Sequence, residues 1–181
     1  MNVARQYHTA SILSTGEVIV TGGNSSNGFL SSAELYDSST GVWTMTCNMS
    51  SARYVHTASI LSTGKVLVTG GFGSGSALYS AELYDPSTEL WTMTGNMSFR
   101  RYLHTASILS TRKVLVAGGY DLIGYLQSVE LYDPSTGYWT ITGNMSSGRY
   151  LHTAFILTNG KVLVASGSNS LGYLNSAELY G

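Results

Sequence analysis

Hydrophobic and polar positions alternate with a period of two along most of the chain, and no apolar stripe recurs at helical spacing. In the second copy of the pattern, the alternating residues 56–61 are followed by a Ser-Thr-Gly turn and by a β-branched run over 65–71. A variable segment rich in Gly and Ser leads to SAELYD at 80–85 and then to WTMTG at 91–95. This pattern predicts a unit of four short antiparallel strands, which we label A, B, C and D in chain order.

The unit repeats every 48 residues without slippage. A constant period of this size predicts a repeat architecture in which one supersecondary unit stacks on copies of itself. We therefore expect a single all-β domain over residues 1–181. The last repeat lacks strand D, so fifteen strands are expected. The repeats lie near 5–52, 53–100, 101–148 and, incomplete, 149–181. The residues that keep the period include His8, His56, His104 and His152, together with Trp43, Trp91 and Trp139.

A residue that tolerates positive φ is expected in each tight turn between strands A and B. The first, second and fourth repeats carry Gly there, whereas Arg112 replaces it in the third. We expect mild strain or a different turn type at Arg112. Between strands C and D, Asp85-Pro86 predicts a turn, because proline presets φ and aspartate can hydrogen-bond its own backbone.

Composition narrows the classes of function. Nine Lys+Arg nearly balance ten Asp+Glu for a formal net charge of -1, and charged residues are 10% of the chain. Without a basic stripe, no nucleic-acid binding is expected. No apolar run reaches the roughly 20 residues that cross a bilayer, and residues 1–10 lack a signal-peptide core, so no membrane association is expected. The single Cys47 excludes an internal disulfide and leaves the cellular compartment open.

The marks Arg-Tyr-x-His, a double glycine, the Tyr of ELYD and the Trp, at this spacing, make the chain resemble kelch repeats. In particular, it resembles the kelch units of the galactose-oxidase-like superfamily. The resemblance implies that each repeat is one blade of a β-propeller. Two features depart from the family pattern: Ser166 replaces a glycine of the other copies, and four blades are fewer than kelch propellers usually have. We therefore expect a kelch-type propeller that is a small ring, an open arc of a longer protein, or a piece that closes by self-association.

The recurring Arg and Glu residues account for eight of the nineteen charged residues (nine basic plus ten acidic). The glutamates lie on strand C, where both sheet faces should be covered, and a buried carboxylate is costly without a partner. We expect one structural ion pair from blade to blade in each repeat. The alternative is that some arginines turn to the open face as ligand anchors. The residues are Arg5, Arg53, Arg101 and Arg149 with Glu34, Glu82, Glu130 and Glu178.

The recurring His and Trp residues are also expected to be structural. Strand side chains point to the sheet faces, which in a propeller meet neighbouring blades, so each His should hydrogen-bond within or between blades. The three Trp side chains are expected to fill space between blades. No catalytic residue or metal ligand stands apart from the repeat pattern, and no cofactor is expected. The copper oxidase chemistry of the superfamily is not carried over, because every His belongs to that pattern.

One face of the molecule is the candidate binding surface. In an antiparallel meander, successive connections lie at alternate ends, so the B–C loops and the D–A crossings share one face. The B–C loops carry aromatic residues among Ser, Gly and Asn, a composition common in recognition loops. The alternative is that these aromatics only close the apolar end of each blade. The candidate binding residues are Phe29, Phe72, Tyr79, Arg100, Tyr120, Asp121, Tyr125 and Tyr173.

The leading hypothesis is a non-enzymatic kelch-repeat interaction module that binds a protein segment or another ligand through this loop face. The hypothesis rests partly on the family resemblance, because one propeller fold serves many functions. The alternatives are a fragment of a galactose-oxidase-like, carbohydrate-active enzyme and a structural remnant without a ligand of its own. A protein partner is expected, and an open propeller would also self-associate because its end blades expose apolar faces.

Overall fold

The computed structural model describes residues 1–180 as a series of antiparallel sheets. Fifteen strands form three four-stranded sheets and one three-stranded sheet, which confirms the predicted meanders and the incomplete last blade. Three two-residue hairpins in the B–C loops were not predicted. Residues 1–180 contain no helix that would reach across a bilayer.

The strands of each blade follow one another in the chain, and within each sheet they pair in sequence order. Blade 1 contains β1 (Thr9–Ile12), β2 (Val18–Thr21), the short β3 (Asn24–Ser25) and β4 (Gly28–Phe29), β5 (Ala33–Asp37) and β6 (Val42–Thr46). Blade 2 contains β7 (Thr57–Ile60), β8 (Val66–Thr69), the short β9 (Phe72–Gly73) and β10 (Ser76–Ala77), β11 (Ala81–Asp85) and β12 (Leu90–Met93). Blade 3 contains β13 (Thr105–Ile108), β14 (Val114–Ala117), β15 (Ser128–Asp133) and β16 (Tyr138–Asn144). Blade 4 contains β17 (Thr153–Ile156), β18 (Val162–Ala165), the short β19 (Ser168–Asn169) and β20 (Gly172–Tyr173), and β21 (Ala177–Tyr180).

The tight turns form as their residue types predict. Gly64 has a φ of 82°, and its N–H donates to the Leu61 carbonyl at 2.9 Å. Arg112 has a φ of 66° and donates in the same way to the Leu109 carbonyl at 2.9 Å. The third repeat therefore keeps the turn of the others and accepts a non-glycine residue in the left-handed region, where its Cβ is strained.

Three hydrophobic clusters fill the three junctions between successive blades. At the first junction, Ile19 and Leu35 of blade 1 pack against Val68 and Tyr84 of blade 2. The next two junctions use the corresponding repeat positions. In the inner blades, one face of strands B and C packs against the preceding blade and the other face packs against the following blade. Both faces are therefore apolar, and the apolar residues of these strands run nearly without interruption.

The blades form an open arc. Among residues 1–180, no hydrophobic cluster joins blade 1 to blade 4. Apolar side chains of these two end blades are exposed to solvent. Ile12 of blade 1 is 68% exposed, and Phe155 and Leu179 of blade 4 are 61% and 55% exposed. The four A strands β1, β7, β13 and β17 lie side by side along the concave side and line a groove of about 680 Å³.

Candidate binding face

Each repeated arginine is held by four hydrogen bonds inside its blade. Arg101 Nη1 donates to the carbonyls of Gly118 at 2.7 Å and Ser128 at 3.2 Å. Its Nη2 donates to Ser128 Oγ at 3.0 Å and to Glu130 Oε1 at 2.6 Å, and both charged side chains are fully buried. The corresponding ion pairs are Arg5–Glu34 at 2.8 Å, Arg53–Glu82 at 2.7 Å and Arg149–Glu178 at 3.0 Å.

These ion pairs differ from the blade-to-blade pairs that we expected. Both partners lie in one repeat, because the arginine precedes strand A and the glutamate lies on strand C of the same blade. The link to the preceding blade comes instead from its backbone: Ser98 N–H donates to Glu130 Oε2 at 2.6 Å, and Phe99 N–H to Oε1 at 3.2 Å. All four arginine side chains are buried at their pairs, so the alternative role as ligand anchors on an open face is wrong.

The electrostatics of these pairs follow from burial and from the number of donors. Burial acts to raise the pKa of the Glu34 carboxyl, but donation by Asn2 N–H, Arg5 and Val3 N–H outweighs it and the pKa falls below its usual value. Burial lowers the pKa of Arg101, and the Glu130 carboxylate opposes that change. A carboxylate with three charged or backbone donors is a structural anchor of the D–A crossing rather than a free acid.

His56, His104 and His152 bridge successive blades as expected, whereas His8 is exposed in blade 1. His56 Nε2 lies 2.9 Å from Thr9 Oγ1 and 3.3 Å from Thr21 Oγ1, both in blade 1. His104 Nε2 lies 3.0 Å from Thr57 Oγ1 of blade 2. Burial, and then the nearby Arg53 charge, lowers the pKa of His56 to about 3. Within the described part of the chain, no three His, Cys, Asp or Glu side chains come together as a metal site.

The tryptophans contact the preceding blade through their indole N–H groups. Trp91 Nε1 donates to the Cys47 carbonyl at 2.9 Å, and Trp139 Nε1 donates to the Gly95 carbonyl at 2.8 Å. Tyr132 lies beside Trp139 with ring centroids 5.0 Å apart. Trp43 has no blade before it in the arc and is half-buried on the outward side of blade 1.

The face formed by the B–C loops and D–A crossings carries a continuous row of aromatic rings, which we call the aromatic row. Backbone hydrogen bonds join Tyr54 to Phe72 and Tyr102 to Tyr120, which places a crossing residue beside the first loop residue of the same repeat. Their ring centroids are 5.7 Å apart in both pairs. Phe72 also lies 5.3 Å from Tyr102, which continues the row across a blade junction. The members of the row are Tyr7, Phe29, Tyr54, Phe72, Tyr102, Tyr120, Tyr125 and Tyr150.

The aromatic row combines packed rings with accessible ones. Tyr7 is 59% exposed and Phe29 is 38% exposed, whereas the other six rings are half-buried. Burial, followed by the neighbouring tyrosines, raises the pKa of Tyr102, so its hydroxyl remains protonated and can donate a hydrogen bond. The row therefore offers apolar ring surface and hydroxyl groups on a preorganised support.

The predicted binding residues lie in different places on the loop face and make different contacts. Phe29, Phe72, Tyr120 and Tyr125 belong to the aromatic row. The Arg100 guanidinium lies over the Tyr79 ring at 4.8 Å, and both residues are exposed. Asp121 Oδ1 accepts the N–H groups of Ile123 and Gly124 and so closes its own loop. Tyr173 is 97% exposed and pairs with Ser168 at the open end of the β19–β20 hairpin, apart from the row. Their part in binding stays a prediction.

The crossing residues of the aromatic row, Tyr7, Tyr54, Tyr102 and Tyr150, were not among the predicted binding residues. The last three belong to the Arg-Tyr-x-His pattern of the repeat. A signal was present, because repeats 2 and 3 carry an aromatic residue at both the crossing position and the first loop position, eighteen residues later. Two aromatic positions that recur together on the same predicted face indicate that their rings meet.

Comparison with known protein families agrees with this architecture. The family profile described as Kelch motif matches residues 7–50, 53–98 and 100–146. The comparison with curated proteins finds no match. Kelch repeats are generally protein-interaction modules, and the family is generally not enzymatic. Three matched repeats, each coinciding with a four-stranded meander, show that the chain belongs to the kelch repeat family.

Proposed function

We propose that this chain is a non-enzymatic interaction module that binds an extended protein segment along the aromatic row. The observation that carries the proposal is the continuity of the row, whose neighbouring ring centroids lie 5.0 to 6.2 Å apart from blade 1 to the crossing of blade 4. A surface of this length suits an extended chain better than a compact small molecule.

The chemistry of the face favours a segment with little charge. Arg100 is engaged with Tyr79 and the Ala77 carbonyl, and the Asp121 carboxylate is engaged with its own loop. The groups that remain available to a ligand are the phenylalanine and tyrosine rings and the tyrosine hydroxyls. Aromatic side chains bury large apolar areas at low cost in conformational entropy, so they recur as anchors in binding surfaces. We expect the bound segment to present apolar or proline side chains to the rings and backbone groups to the hydroxyls.

The alternative function as a fragment of a carbohydrate-active oxidase gains no specific observation. Its copper site would need convergent ligands, whereas His56 and His104 each point into a different blade junction and bind threonine hydroxyls there. The interaction module is therefore the proposal that the geometry favours.

The test is a selection of binders from a random-peptide display library against the immobilised chain, followed by affinity measurement of a selected peptide in solution. Phe29→Ala and Tyr120→Ala should each weaken binding at least about tenfold, because ring anchors are the usual hot spots. Tyr138→Ala is the matched control, since Tyr138 is 73% exposed at the opposite end of blade 3. It should leave the affinity unchanged.

Thermal unfolding of each variant separates lost binding from lost folding. The proposal requires that Phe29→Ala binds weakly while its melting temperature stays close to that of the unchanged chain. Selected peptides that bind all three variants equally well would contradict the proposed face, and so would peptides weakened only by Tyr138→Ala.

A further inference from the structure

The three junctions inside the arc are copies of one hydrogen-bonded interface. Near the concave side, Val55 N–H donates to the Tyr7 carbonyl at 3.1 Å, and Leu103 N–H donates to the Val55 carbonyl at 3.2 Å. Beside them, Gly23 N–H donates to the Arg53 carbonyl at 2.8 Å. A third contact joins the histidine of the later blade to the strand A threonine of the earlier one. Each junction therefore needs one defined set of groups from each side.

The two ends of the arc carry the two halves of this set. Blade 1 presents the Tyr7 N–H, the Arg5 carbonyl and the exposed His8 ring, which are the groups of a later blade. Blade 4 supplies the groups of an earlier blade, namely the Leu151 carbonyl, Gly167 N–H and Thr153 hydroxyl. No hydrogen bond within residues 1–180 joins these two sets. The donors of one end face match the acceptors of the other.

The apolar positions of the two ends are matched in the same way. On blade 1, Val18, Tyr36 and Trp43 occupy the repeat positions that Val66, Tyr84 and Trp91 use against blade 1 itself. On blade 4, leucines occupy the positions of Leu13, Ile19 and Leu35 on the other side of that junction. These leucines are Leu157, Leu163 and Leu179, of which the last is 55% exposed.

From this complementarity we infer that blade 4 of one copy of the chain binds blade 1 of a second copy, head to tail. The inference does not rest on the proposed function: of the aromatic row, only Tyr7 takes part in the junction, and it does so through its backbone N–H. Two different patches meet in such a contact, so the assembly either closes on itself or grows by addition of further copies. Two four-blade arcs that close would make eight blades, the upper end of the usual range for β-propellers.

Ser166 makes this junction weaker than the three inside the arc. The corresponding Gly22, Gly70 and Gly118 have no room for a side chain: a Cβ on Gly22 would lie 2.5 Å from the Arg53 carbonyl oxygen and 2.9 Å from His56 Cε1. Ser166 places a Cβ at this position, with a φ of 61°. Its contacts in the assembly would be the Arg5 carbonyl and the His8 ring of the second copy. The junction must open slightly to admit this serine, so we expect the association to be reversible.

The assembly is tested by analytical ultracentrifugation of the full chain over a concentration series. The unchanged chain should pass reversibly from monomer to a larger species as its concentration rises. Ser166→Gly should tighten this association by at least about tenfold, because it removes the clashing Cβ. Ser170→Gly, at an exposed serine of the nearby loop, is the matched control and should have no effect. Reversible association together with an unchanged melting temperature distinguishes this gain from aggregation of a damaged fold.

Complementation of two weakened faces tests the head-to-tail arrangement. Leu179→Glu places a charge on the blade 4 face, and Ile12→Glu places one on the blade 1 face, both at side chains more than half exposed in the arc. Each variant alone should be monomeric, whereas a mixture should form a one-to-one dimer through the two intact faces. Leu171→Glu is the control for an added charge, since Leu171 is 91% exposed in a loop. It should associate like the unchanged chain.

Three results would overturn the inference. The first is a chain that stays monomeric at every concentration, both unchanged and as Ser166→Gly. The second is association of Ser166→Gly that is no tighter than that of the unchanged chain. The third is a mixture of the two glutamate variants that remains monomeric while the unchanged chain associates, or one glutamate variant that associates by itself as the unchanged chain does. The latter pattern indicates an interface between identical patches.

Discussion

Arg100 and Arg101 are neighbours in the chain, yet they lie in two regions with opposite characters. Arg101 is fully buried in the blade framework, where it donates to two carbonyls, a hydroxyl and a carboxylate. Arg100 lies on the loop face, where its guanidinium rests on the Tyr79 ring and one nitrogen donates to the Ala77 carbonyl at 3.2 Å.

The contrast between these two arginines shows which charges stabilise the fold. In the framework, a group recurs with the period of the repeat and meets the same partners in each copy, so its contribution is to stability. On the loop face, Arg100 belongs to one repeat only, and its contacts are accessible to water and to a partner. Substitutions in the framework should therefore change stability more than substitutions on the loop face.

Arg101→Ala should cost about 3–5 kcal/mol of unfolding free energy, because it leaves the Glu130 carboxylate buried without its cation. Arg100→Ala should cost less than about 1 kcal/mol, the typical value of an exposed cation–π contact. Urea denaturation of the two variants measures both values. Equal losses for the two arginines would contradict the separation into framework and face.

Acidification should destabilise the framework through its buried histidines. The pKa of His56 is lowered to about 3 and that of His152 to about 4, in both cases first by burial and then by the adjacent arginine; the pKa of His104 is lowered for the same reasons. These neutral histidines stabilise the fold fully above pH 6.5, and this contribution is lost as the pH falls toward the lowered values. The free energy of unfolding should therefore decrease below pH 6.5 by up to about 1.4 kcal/mol per pH unit for each histidine.

Unfolding measured in urea between pH 7 and pH 5 checks this dependence, and the window lies above the ordinary range in which carboxyl groups titrate. His104→Gln should reduce the change in unfolding free energy per pH unit by the contribution of one histidine. A slope that is unchanged in that variant would show that other groups cause the pH dependence.

The smallest effect is expected at the A–B turn of blade 3. Arg112→Gly should raise the unfolding free energy by up to about 1 kcal/mol, because glycine adopts the observed φ of 66° without Cβ strain. Thr111→Gly, at the preceding position, should lower it, since glycine only adds freedom to the unfolded chain there. A melting temperature that falls in both variants would contradict the strain assigned to Arg112.

Much of this architecture could be predicted because its causes are local and repeated. The alternation in residues 56–61 and the Gly of each A–B turn act within a few residues of themselves, and four copies of the pattern reinforce one another. The B–C hairpins such as β9–β10 escaped prediction, because two-residue strands among Gly and Ser carry no hydrophobic period. For the candidate site, the loop aromatics Phe72 and Tyr120 were identified, while their crossing partners Tyr54 and Tyr102 were not.

The order of residues is enough to predict the all-β repeat and the absence of a fourth strand in the last repeat. It also predicts the structural role of the in-phase Arg and Glu residues, since a buried charge needs a counter-charge wherever the sheet places it. Three features could be seen only in the folded chain: Arg101 pairs inside its own blade, rings from two separate connections join in one row, and the arc is open. These outcomes depend on how the blades cross and curve, and that geometry is set by packing between residues far apart in the chain rather than by any local pattern.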